Sequence, residues 1–115
     1  MPLETLQLAV SPGSRDGLKI LTLKGSLSIH TIFDFQGAIR TESAPALVVD
    51  MTAVPFVDSA GLGAMVGAVV TLQKAGRKIA FAGMNEKNMA LVNMSHLSQV
   101  VRNFATVQDA ESAVS

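Results

Sequence analysis

Val48-Val49-Asp50-Met51-Thr52-Ala53-Val54-Pro55-Phe56-Val57-Asp58-Ser59-Ala60-Gly61-Leu62-Gly63 changes its periodicity partway along. Its first residues complete Ala46-Leu47-Val48-Val49-Asp50, a continuous apolar run ending in an acid. A strand with one face in water alternates, so an unbroken run indicates a central strand covered on both faces. Met51 to Val57 then reads as a connection across the top of a sheet. From Ser59 the spacing becomes helical, with Leu62, Met65, Val66, Val69 and Leu72 three or four residues apart on an inward face. Asp58 and Ser59 stand where the helix begins. A side-chain oxygen there accepts hydrogen bonds from backbone N–H groups that lack helical partners, a contribution of about 1 kcal/mol.

The flanking sequence extends this strand–helix unit in both directions. Leu6, Leu8 and Val10 alternate with polar or small residues, and Leu18 to Leu23 is a second β-rich run. The turn formers between them, Ser11 to Gly17, predict an antiparallel hairpin. After Gly25, Ile29 to Arg40 places Ile32, Phe35 and Ile39 on one helical face, with Phe33 off it. Ser28 is placed to cap that helix. Thr41 to Pro45 is a loop, because proline disfavours helix in the residue before it.

Beyond the central helix, Gly76 suits a left-handed cap, with Lys74, Arg77 and Lys78 near the negative end of the helix dipole. Lys78 to Ala82 reads as a strand and Asn85 to Ser95 as a helix burying Met89 and Val92. Val100 to Phe104 is a short last strand. Thr106 and Asp109 are spaced as a cap and an acidic third helical residue, ahead of a terminal helix through Ala113. The expected fold is α/β, a mixed sheet opened by a β-hairpin with helices packed against it. Residues 1–115 read as a single domain, the length one core serves.

Composition narrows the function. The chain is 49% hydrophobic and 16% charged, which favours a packed core over disorder. Nine basic residues balance nine acidic ones, so no global positive field gathers nucleic acid. Cysteine is absent, which removes disulfides, thiolate ligands and a Cys nucleophile and agrees with a reducing compartment. Met1 to Val10 lacks a secretory pattern, and Leu62 to Leu72 is shorter than the roughly 20 apolar residues that span a bilayer. The expectation is a cytoplasmic protein with no direct membrane insertion and no cofactor.

The stretch from Val48 to Gly63 resembles the central signature of the STAS domain family: a buried strand, a short crossing loop, then an Asp-Ser-small-Gly-Leu helix start. Gly25, Gly76, Gly83 and Thr106 to Ala110 fit the same layout, so the resemblance covers nearly the whole chain. Among the family's anti-sigma-factor antagonists, the Ser after the Asp is phosphorylated by the partner kinase. The resemblance therefore implies phosphorylation of Ser59 and partner binding through Asp58, Ser59, Ala60, Gly61, Leu62 and Gly63. It also implies the partners, an anti-sigma factor with serine kinase activity and a serine phosphatase. The chain departs from the family at Ser26 and Ser28, where acidic residues commonly follow the glycine. That departure bears on kinase recognition and keeps a second reading open: a STAS scaffold that does not cycle, in a stress-signalling complex or beside a membrane transporter.

Other chemistry fits poorly. Around Ser59, the hydrolase elbow Gly-x-Ser-x-Gly would need glycine where Val57 stands. His30 and His96 have no spacing that pairs either with Ser59 and an orienting acid. Asp50 ends a strand as a receiver-domain acceptor does, yet the acidic pair near the first strand is missing. No phosphate-cradling Gly-rich loop and no metal-ligand cluster occurs. Gly61, Gly63, Ala64, Gly67 and Ala68 leave part of the central helix nearly bare, which suits either close packing or a shallow docking surface beside Ser59.

Overall fold

The computed structural model describes residues 5–115. Strands β1 (Gln7–Pro12), β2 (Leu18–Lys24), β3 (Ala46–Ala53), β4 (Lys78–Ala82) and β5 (Asn103–Phe104) form one sheet in sequence order. The first pair is antiparallel, with Gln7 opposite Lys24 and Pro12 opposite Lys19. The remaining pairs are parallel. Helices α1 (Ile32–Thr41), α2 (Ser59–Lys74), α3 (Glu86–Met94) and α4 (Val107–Ala113) supply the connections and the end of the chain.

Alternation along β3 divides the core in two. Leu47, Val49 and Met51 join Leu21, Leu23 and Phe81 in the larger cluster, with Phe35 and Ile39 of α1, Met65 and Leu72 of α2, and Val92 of α3. Ala46 and Val48 join Leu18, Ala80, Ala82 and two α4-side residues, Ala110 and Val114, on the other face. β3 is thus covered on both sides, as its unbroken apolar run requires. The small cross-section of Ala80, Ala82 and Ala110 suits the smaller cluster, where one short helix does the covering. Its far end is tied to the hairpin: the Ser14 N–H donates to Glu111 Oε2 at 2.7 Å and Arg15 Nη2 donates to the Val114 carbonyl at 2.8 Å.

Several element boundaries differ from the sequence expectation, and main-chain hydrogen bonding accounts for each. β3 continues through Ala53 rather than giving way at Met51, because β2 keeps offering partners after a register shift between Thr22 and Lys24. α1 starts at Ile32 rather than Ile29. Residues 28–31 form a turn in which the N–H groups of Thr31 and Ile32 both donate to the Ser28 carbonyl at 2.9 Å. The last strand shrinks to Asn103–Phe104, since Val100 and Val101 turn back to donate to the Leu97 carbonyl. Two of the predicted caps hold. Gly76 has φ +72 with the Arg77 N–H bonded to the Leu72 carbonyl, and Thr106 Oγ1 accepts from the Asp109 N–H.

At the end of α3 a left-handed residue is not glycine. His96 has φ +58, with the Leu97 N–H closing onto the Val92 carbonyl at 3.1 Å. A Cβ in this conformation is sterically costly, and glycine is the residue that relieves it. His96→Gly is expected to raise unfolding stability by about 0.5–1 kcal/mol, read from the urea midpoint at unchanged slope.

Candidate functional site

Three segments meet where α2 begins. The chain leaving β2 passes Gly25 to Leu27, which forms an isolated parallel bridge with Val57. The Leu27 N–H donates to the Phe56 carbonyl at 2.9 Å, and its carbonyl accepts from the Asp58 N–H at 3.2 Å. Asp58, extended at φ −95 and ψ −177, is the cap residue. Its Oδ1 accepts from the Gly61 N–H at 2.7 Å, while Oδ2 accepts from the Ile29 N–H at 3.0 Å. One carboxylate therefore caps α2 and holds the turn ahead of α1.

This division of labour separates two roles that the sequence left together. Asp58 does the capping, so Ser59 is the first helical residue and is exposed to solvent. Of the six residues expected at the partner surface, Ser59 and Gly63 are exposed and Asp58 and Ala60 half-buried. Gly61 and Leu62 turn inward. A Cβ on Gly61 would collide with the Leu27 carbonyl oxygen, whereas one on Gly63 or Gly67 would meet nothing within 4 Å. The bare side of α2 is thus both things at once: close packing at Gly61, and open surface at Gly63 and Gly67. Beside that surface, Gln36 and Arg40 of α1 face Ala64, Gly67 and Thr71 across a shallow groove.

Ser28 does not cap α1 through its side chain. The cap position belongs to Thr31, which makes no side-chain cap bond, and Ser28 is 3% exposed with Oγ accepting from the His30 N–H at 3.2 Å. The hydroxyl of Thr31 instead donates to the Ser26 carbonyl at 2.9 Å. Ser28 therefore belongs to the turn beside Ile29, the residue whose N–H the Asp58 carboxylate holds, and Ser26 is tied to that turn through Thr31. Neither histidine is hydrogen-bonded to Ser59 among the described residues.

The sequence reading missed the polar residues of α3. Asn88 is 1% exposed; its Oδ1 accepts from the Val57 N–H at 3.0 Å and its Nδ2 donates to the Val54 carbonyl at 3.1 Å. Asn85, the α3 cap, also donates from Nδ2 to the Pro55 carbonyl at 3.1 Å. These bonds satisfy the main chain of a loop that no strand pairs, which otherwise would leave buried polar groups unmatched. The spacing Asn85-x-x-Asn88 is visible in the sequence, though nothing local indicates which way Asn88 faces. On the loop itself, the exposed Phe56 ring carries the Lys87 ammonium 5.1 Å from its centroid.

This sheet order, with a capped helix start carrying an outward serine, defines a STAS domain. The STAS domain family model matches residues 10–110, and the chain belongs to that family. Among curated proteins it is similar to the anti-sigma-F factor antagonist RsfB of Mycobacterium tuberculosis, 24% identical over 93% of this chain and 89% of the relative. Among solved structures it resembles an anti-sigma factor antagonist from Mycobacterium paratuberculosis, with a TM-score of 0.83 and 24% identity over 95% of this chain and 93% of that one. It also resembles part of the murine anion transporter Slc26a9, with a TM-score of 0.76 and 18% identity over 97% of this chain and 22% of that one. No helix among the described residues is long and apolar enough to cross a membrane.

The two glycines near the site should respond oppositely to alanine. Gly61→Ala forces α2 away from Leu27 and is expected to cost about 1–3 kcal/mol or more, as overpacking does. Gly63→Ala adds a methyl in open space on a helix and should stabilise by roughly 0.4–1 kcal/mol. Paired denaturation curves check both signs.

Proposed function

We propose that this STAS domain is an anti-sigma-factor antagonist whose binding of an anti-sigma factor is switched off by phosphorylation of Ser59. The observation that carries the reading is the exposed Ser59 hydroxyl on the first turn of a helix already capped by Asp58. Capping would have explained the serine without any function, and Asp58 holds that position. The likeness to RsfB, itself called an anti-sigma-F factor antagonist, supports the partner class.

In this reading the protein is a substrate and a switch and performs no catalysis. The unphosphorylated form binds a kinase-type anti-sigma factor, which frees the sigma factor. The kinase transfers a phosphoryl group to Ser59, and a serine phosphatase removes it. The added charge, roughly −1.5 to −2 at neutral pH, sits at the positive end of the α2 dipole, so the fold tolerates it. A partner packed over the same surface must desolvate that charge beside the Asp58 carboxylate, and binding is lost.

A second reading, a STAS scaffold that does not cycle, draws on Ser26 and Ser28 and on the transporter that contains a similar fold. The two are separated by incubating the protein with candidate cognate anti-sigma kinases and mapping the modified residue. The switch reading expects phosphate on Ser59 and none on Ser59→Ala; modification confined to Ser26 or Ser28, or no modification, overturns it. Ser59→Asp is expected to weaken anti-sigma-factor binding tenfold or more while shifting the melting temperature by no more than about 2 °C. Calorimetric titration and thermal melts provide the readout, and unfolding of the variant would refute a locally tolerated charge.

A further inference from the structure

We propose that Lys87 is the counter-ion of phosphorylated Ser59, and that in taking up this role it leaves the Phe56 ring it covers in the unmodified protein. The inference rests on the reading of Ser59 as a phosphorylation switch and adds the residue that answers the new charge. Its basis is a hollow of about 380 Å³ in which Phe56, Asp58 and Ser59 face Lys87, Leu91 and Met94 of α3. Among the described residues, Lys87 is the one cation lining this hollow and Asp58 the one anion.

The two charges do not use each other. Both oxygens of the Asp58 carboxylate are engaged by main-chain N–H groups, those of Gly61 and Ile29. The Lys87 ammonium lies over an aromatic face instead, 5.1 Å from the Phe56 centroid. At an exposed site that attraction is weak, while a phosphate monoester offers a lysine a charge-assisted hydrogen bond. The ammonium sits on a flexible four-carbon stem, and Ser59 lines the same hollow. Glu86, the neighbouring acid on α3, is exposed and does not line the hollow.

The consequence reaches beyond charge. Phe56 is 39% exposed and Met94 79% exposed on the walls of the same hollow. Withdrawal of Lys87 toward the phosphate changes what covers the Phe56 ring, so one modification alters the electrostatics and the apolar surface together. A partner fitted to the unmodified face loses both features at once.

The test installs phosphoserine at position 59 during protein synthesis, so that no kinase is needed. Phosphorus NMR then follows the second ionisation of the phosphate against pH in wild type, Lys87→Gln and Lys87→Arg. Asp58 and every other charge are common to the three and cancel in the comparison. The midpoint is expected to lie about 0.3–0.5 pH unit lower in wild type than in Lys87→Gln, the effect of a unit charge several ångströms away through hydrated surroundings. Lys87→Arg should keep the lower midpoint. The Phe56 ring resonances should move on phosphorylation in wild type and much less in Lys87→Gln. Coincident midpoints, or a reversed order, overturn the counter-ion role, and ring resonances that move equally in both proteins overturn the release of Phe56. A kinase assay that leaves Ser59 unmodified counts against the switch itself and has no bearing on these titrations.

Discussion

The contact between Gly61 and the carbonyl of Leu27 is the constraint on which the site depends. Leu27 is held extended by its bridge to Val57, donating to Phe56 and accepting from Asp58, so its carbonyl cannot swing aside. The first turn of α2 lies against that carbonyl, and only a residue without a Cβ leaves room. The helix start is consequently registered to the end of β2 and to the loop after β3 at once. Asp58 completes the arrangement by placing one carboxylate oxygen on α2 and the other on the turn before α1. With the cap occupied and the first turn immobilised, Ser59 is presented outward on a rigid support.

That rigidity extends into the loop that leads to the helix. The loop from Val54 to Val57 has no strand partner apart from the single bridge, yet its main-chain groups are matched by Asn88, Asn85 and Leu27. Buried polar groups left unmatched would cost on the order of 1–3 kcal/mol each, and the loop would be loose. Two asparagine side chains on a neighbouring helix prevent this. They also tie α3 to the start of α2, so Lys87, Leu91 and Met94 stand beside Ser59 as a continuous face rather than as an independent element.

The small residues of α2 show how one compositional feature serves two ends. Ala64 and Ala68 are buried, and Gly61 is in contact with main chain. Gly63 and Gly67, two and six residues further along from Gly61, look outward with nothing near them. Glycine weakens a helix by about 1 kcal/mol relative to alanine. At Gly61 the close approach offsets that cost, whereas at Gly63 and Gly67 the fold itself gains nothing, in keeping with a surface shaped for something outside the chain.

Local pattern was enough to read the alternation of strands and helices, the burial of β3 on both faces, the Gly76 and Thr106 caps and the outward position of Phe33, because each depends on near neighbours. The Asp58-Ser59-Ala60-Gly61-Leu62 run likewise revealed a helix start and, by resemblance, its family. Which oxygen caps and which is left exposed was open until Ile29, 29 residues before Asp58, came within reach of the same carboxylate. The extent of β3, the late start of α1 and the inward turn of Asn88 were open for the same reason. Each involves a partner distant in the chain, β2 for the strand, Asp58 through the Ile29 N–H for the turn that delays the helix, and the main chain of Val54 and Val57 for the asparagine. Periodicity records how a segment is solvated along its own length; it carries no information about which distant main-chain group that segment will have to satisfy.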